Sequence, residues 1–80
     1  MSEPMPPFLR MVGGRIRLAR QAAGLSQTEL ADFACLARTS IANLEAGRQD
    51  TTICRLALIA QKLGLDVAEL VKPEPVTTTP

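Results

Sequence analysis

The stretch from Leu25 to Glu45 limits what this chain can fold into more than any other. Ser26 stands three residues before Glu29. In that pairing a serine hydroxyl and a glutamate carboxylate satisfy each other's backbone N–H groups at a helix start. Leu30, Ala31 and Ala34 follow at helical spacing as an inward face. The pattern breaks near Cys35, Leu36 and Ala37, then resumes with Ile41 and Leu44 on one side. The expectation is two short helices joined by a turn of three or four residues.

The flanks supply the helices that such a pair must pack against. Pro4, Pro6 and Pro7 predict an extended, flexible arm over residues 1–6, with Pro7 suited to the first turn of a helix. Phe8, Val12, Ile16, Ala19 and Ala23 form a stripe that predicts one helix over about 7–23, closed by Gly24. Gly13 and Gly14 interrupt it, at about 1 kcal/mol each against alanine. Gly47 stops the second motif helix, and Thr52 caps a fourth over 53–63, with Ile53, Leu56, Ile59, Ala60 and Leu63 inward. Asp66 caps a short fifth helix through Val71, bearing Val67, Leu70 and Val71. Pro73 ends it, and residues 72–80 read as a disordered tail. The predicted fold is all-α, a compact five-helix bundle spanning 7–71. With two aromatics, Phe8 and Phe33, among 46% hydrophobic residues, its core is aliphatic.

Several function classes are excluded on chemistry. No apolar run approaches the roughly 20 residues that a transmembrane helix needs. The first residues carry an acid and prolines in place of a basic and then apolar signal. The chain has no histidine, no glycine-rich phosphate loop and no paired carboxylates, and its three serines lack a base in motif, so an enzyme is not expected. Cys35 and Cys54 are not spaced as metal ligands. No metal, cofactor, small-molecule ligand or membrane partner is expected, and Cys35 and Cys54 read as two buried or half-buried free thiols of a cytoplasmic protein.

Two small-faced helices about a tight turn make a helix-turn-helix, here over 26–45, a unit that reads DNA. On a helical wheel the recognition helix, about 37–45, places Ala37, Ile41 and Leu44 inward and Thr39, Ala42, Asn43 and Ala46 outward, with Arg38 at its start. A helix entering the major groove needs such short side chains. Arg38 can pair with guanine, Asn43 with adenine, and Thr39 can meet a thymine methyl. These three are the candidate base contacts. Gln27, at the first motif helix start, is a candidate phosphate contact, as are Ser40, Arg48 and Arg55. Between Arg10 and Arg55 seven arginines face four acids, whereas the remainder has two lysines and four acids. The basic excess therefore surrounds the motif. Arg10, Arg15 and Arg17 are assigned only this general role. Arg20 and Glu45 fall at similar offsets from their apolar stripes, which predicts a structural ion pair between them.

The residues Gly14-x-Ile16-Arg17-x-x-Arg20, Gly24-Leu25-Ser26-Gln27-x-Glu29-Leu30-Ala31, Arg38-Thr39-Ser40-Ile41-x-x-Leu44-Glu45-x-Gly47-Arg48 and Leu56-x-x-Ile59-Ala60-x-x-Leu63-Gly64 resemble the Cro/repressor-type, XRE-like helix-turn-helix regulators. The resemblance covers about Gly14 to Leu70. It implies the lambda-repressor-like five-helix fold in a bacterial or phage-encoded, nucleoid-associated regulator such as a repressor or controller protein. It also implies a dimer on a palindromic operator, with Arg38, Thr39 and Asn43 on bases and Gln27 on phosphate. The family usually has glycine where this chain has Cys35, a position that needs a left-handed backbone. A homodimer through the fourth and fifth helices would double the contacts of so small a domain, with Leu58, Leu65, Val67 and Leu70 as candidate interface. A DNA-binding antitoxin of a toxin–antitoxin pair and a protein-interaction module of the same fold are the alternatives. The short tail lacks apolar anchors for a toxin, and Arg38 with Asn43 argues against the module.

Overall fold

The computed structural model describes residues 7–73. The predicted arm at 1–6 and positions 74–80 of the predicted tail lie outside them. The described chain is all-helical, with α1 at Pro7–Ala22, α2 at Gln27–Ala34, α3 at Arg38–Glu45, α4 at Ile53–Leu63 and α5 at Val67–Val71.

The local signals act as their chemistry requires. Ser26 Oγ accepts from the Glu29 N–H at 3.0 Å, and the Ser26 N–H donates to Glu29 Oε1 at 2.8 Å, closing the capping box of α2. Thr52 accepts from the Arg55 N–H at 3.1 Å and starts α4. Asp66 has the extended backbone of a cap, but its side chain makes no capping hydrogen bond, contrary to expectation. Cys35 adopts φ 58°, ψ 44°, the left-handed conformation that favours glycine. The turn is held by Leu36 N–H to the Ala31 carbonyl at 2.9 Å and Cys35 N–H to Asp32 at 3.3 Å. These bonds form the Schellman closure of a helix end without its usual glycine.

The core is built from Val12, Ile16, Leu30, Ala31, Ala34, Ile41, Leu44, Ile59, Ala60 and Leu70. Both α1 and α2 pack on α3, and α4 closes the other side of α2. At the crossing of α1 and α3 the backbones touch. A Cβ at Gly13 would fall on the Leu44 carbonyl oxygen and 2.8 Å from that of Glu45. A Cβ at Gly47, just past α3, would lie 2.7 Å from Arg10 Cα. Gly13 is therefore a contact point of two helices, whereas Gly14 beside it faces open space.

Five expectations about apolar faces are corrected, and Cys35 and Cys54, expected to be buried or half-buried, are both exposed. Leu70 is fully buried and cannot serve as a dimer contact, because a five-residue helix has one apolar face and the core takes it. Ile53, expected inward, is 82% exposed, since the first residue of α4 projects past the end of the core. Phe8 is half exposed for the same reason at the start of α1. Ala23 and Ala37 are also exposed, both lying just outside their helices. Leu58, Leu65 and Val67 are half-buried against the core.

The short α5 is held by a side chain from far along the sequence. Arg15 Nη1 donates to the Lys72 carbonyl, with the Glu69 and Leu70 carbonyls at 3.4 Å. One guanidinium thus serves the last carbonyls of α5, which lack helical partners. Next to it, Pro7, Phe8 and Met11 of α1 and Pro73 line one shallow hollow. Lys62 of α4 lies over the Phe33 ring of α2, 5.3 Å from its centroid, a cation–π contact between those two helices.

Candidate nucleic-acid interface

The start of α3 is held by a chain of side-chain hydrogen bonds from three helices. Arg20, in the last turn of α1, donates from Nε to Glu45 Oε2 at 2.7 Å and from Nη2 to Glu45 Oε1 at 3.2 Å. Its Nη1 donates to the Leu25 carbonyl at 2.8 Å, fixing the connection between α1 and α2. Both side chains are nearly removed from solvent, at 11% and 3% exposure, so the pair depends on this geometry. The predicted Arg20–Glu45 pair is formed.

Gln27 extends the chain outward. Its Nε2 donates to Glu45 Oε1 at 3.1 Å, and its Oε1 accepts from Arg38 Nη1 at 3.1 Å. The Gln27 amide is thus a bridge inside the protein, a role the sequence reading did not assign. One amide N–H remains for a ligand, together with the other guanidinium donors of Arg38. No spacing in the sequence signals this bridge, which joins the first residues of two helices once they are packed.

Around that anchor, Arg38 and Thr39 are exposed, and Ala42, Asn43 and Ser40 are half-exposed. Ala37 gives α3 no side-chain cap. The first N–H groups of the helix are thus left to outside acceptors. Arg48 is exposed in the loop after α3 and Arg55 in the first turn of α4, with Arg55 lining a cleft with Leu36, Gln49 and Asp50. Arg38 and Gln27 are in direct contact, Thr39 and Asn43 lie on the same helix as Arg38, Arg48 follows that helix in the loop, and Arg55 stands on the first turn of α4.

Two arginines assigned only general electrostatics have specific places. Arg15 closes α5, as described. Arg17, one helical turn before Arg20, lines a cleft with Arg20, Gln27, Ala42, Glu45 and Ala46. Glu29, away from this face, has its carboxyl held below the ordinary glutamate range, chiefly by the Ser26 backbone N–H and then by the Ser26 hydroxyl. Among the described residues no group of three or more His, Cys, Asp or Glu could hold a metal ion. No described helix is long and apolar enough to cross a membrane.

Residues 16–70 match the helix-turn-helix family. The chain belongs to that family, in its XRE-type branch. This helix-turn-helix chain is 35% identical over 63 residues to the immunity repressor protein of Bacillus phage phi105, an alignment covering 79% of the chain and 44% of the repressor. It thus spans less than half of that relative's length. Among solved structures it is similar to the restriction–modification controller protein C.AhdI of Aeromonas hydrophila, at TM-score 0.74 and 32% identity over 78% of this chain and 94% of that one. It is also similar to the biofilm master regulator SinR in complex with DNA, at TM-score 0.72 and 30% identity over 78% and 100%. The matched proteins are regulators of transcription and not enzymes.

Proposed function

We propose that this chain is a sequence-specific transcriptional regulator that binds a palindromic operator as a homodimer, with α3 in the major groove. The observation that carries the reading is the hydrogen-bonded chain from Arg20 through Glu45 and Gln27 to Arg38. It presets the orientation of a guanidinium at the start of a helix whose outward face is otherwise short. Such a preset arginine suits bidentate pairing with guanine, with Thr39 and Asn43 reading neighbouring bases. Gln27, Ser40, Arg48 and Arg55 would hold the backbone on either side. The solved SinR relative in complex with DNA supports DNA as the partner. The phage relative and the controller protein support a bacterial or phage setting in the cytoplasm.

Dimer formation follows from economy of contacts, because one domain of this size touches too few base pairs for a unique site. Leu58, Leu65 and Val67 offer only half-buried surface to a second copy, and Ile53 adds the most exposed large apolar side chain of the described chain. Selection of bound sites from random duplexes at fixed salt tests the reading. A two-fold symmetric site is expected, and Arg38→Ala should relax one position of each half-site at a cost of about 1–3 kcal/mol. Equal binding of all duplexes by both proteins would overturn it. Sedimentation finding only monomer at high micromolar concentration, with and without DNA, would remove the dimer.

A further inference from the structure

We infer that Arg17 grips a DNA backbone phosphate, and that the cleft between α1 and α3 is a second phosphate seat besides the one at the start of α2. The inference rests on the DNA-binding reading and adds to it a residue and a position. Arg17 is exposed and carries no hydrogen bond or ion pair among the described residues, unlike Arg15 and Arg20 on the same helix. It shares the cleft with Gln27, Ala42 and Ala46, which are already placed on the DNA side of the domain.

The surroundings select a backbone oxygen over a base. Arg17 lines the cleft from α1 while Ala42 and Ala46 line it from the α3 side, so in the proposed complex it meets the wall of the groove that α3 enters and not its floor. That wall is phosphate. Ala42 and Ala46 present only methyl groups along this side, which lets a sugar–phosphate chain approach closely. Glu45 is the one acid lining the cleft, and both its oxygens are already engaged by Arg20 and Gln27. The charge left over in the cleft is that of Arg17. Arg17 also lines a shallow surface hollow with Gly14 and Arg15, but the Arg15 guanidinium is taken up by the carbonyls at the end of α5, which leaves Arg17 as the arginine open to a phosphate.

The test is the salt dependence of binding to the selected operator and to an unrelated duplex. Wild type, Arg17→Ala, Arg17→Lys and Lys72→Ala are compared, with thermal melting of each. Arg17→Ala is expected to weaken both duplexes by the same factor and to lower the slope of log affinity against log salt by about 0.9 per bound chain. Arg17→Lys should restore the slope, and the melting temperature should not move because Arg17 supports no fold contact. Lys72, on the α5 side, reports diffuse charge, and its removal should leave the slope unchanged. A wild-type slope in Arg17→Ala, an equal loss in Lys72→Ala, failure of lysine to restore it, or relaxed preference at one base pair would each overturn the inference. If wild type prefers no duplex, the DNA-binding reading itself falls; if wild type selects its operator and Arg17→Ala keeps the full slope, only the phosphate seat falls.

Discussion

The Gln27 amide oxygen accepts a hydrogen bond from Arg38 at 3.1 Å, tying the first residue of α2 to the first residue of α3. The same amide donates to Glu45 at 3.1 Å, and Glu45 is clamped by Arg20. Arg38 is therefore oriented through a buried ion pair of the scaffold. A base-reading arginine held this way loses less rotamer freedom on binding.

Replacing Gln27 by alanine should release Arg38 and so weaken binding most at the base pair that Arg38 reads. In a double-mutant cycle measured by operator binding at fixed salt, Gln27→Ala with Arg38→Ala should cost less than the sum of the two. A coupling of at least about 0.5 kcal/mol is expected. Strict additivity would show that the bond does not serve recognition.

Removing Arg20 leaves Glu45 charged and nearly buried with only Gln27 beside it. Urea unfolding of Arg20→Ala should show a loss of about 3–5 kcal/mol, and Arg20→Met with Glu45→Leu should recover most of it. Recovery of stability without recovery of operator binding would separate the two duties of the pair.

The adjacent glycines of α1 should respond in opposite directions. Gly14→Ala meets no neighbour and should stabilise by about 0.5–1 kcal/mol. Gly13→Ala drives a methyl group into the Leu44 and Glu45 carbonyls. It must push α1 off α3, at a cost of at least about 1–3 kcal/mol. Urea midpoints of the two variants check the sign.

Glu29 makes the capping box sensitive to acid. Its carboxyl titrates lower in the folded chain than in the unfolded one, because the Ser26 N–H and hydroxyl favour the charged form. The stabilisation is therefore complete above the ordinary glutamate pKa and is lost as pH falls through the depressed folded value. Thermal melts between pH 7 and pH 3 should show a shallower acid decline for Glu29→Gln, which keeps a capping side chain without a titrating charge.

What the sequence made legible was what is local or periodic. Ser26 and Glu29 are three residues apart and cap α2 as expected, and the offsets of Arg20 and Glu45 on their wheels anticipated their pairing. Cys35 was legible too, through the left-handed backbone that its place in the turn requires. Periodicity tells which face of a helix is apolar but not how far the opposing helix extends, which is why Ile53 proved exposed. It also could not reserve one apolar face for two uses, so Leu70 went to the core. Arg15 reaches carbonyls more than fifty residues away, and Gln27 meets Arg38 only after α2 and α3 are packed. No spacing rule encodes either contact.

The hollow shared by Pro7, Met11 and Pro73 has a consequence for building with this domain. Pro7, Met11 and Arg15 follow one another at four-residue steps along one side of α1. The first and last described residues thus meet on a single edge. A reporter or sensor module joined directly at Pro7 or Pro73 would start from that same edge. Because Pro7 and Pro73 are neighbours, a chain trimmed to residues 7–73 could be closed into a ring by a short linker, with new termini opened in the loop around Gln49.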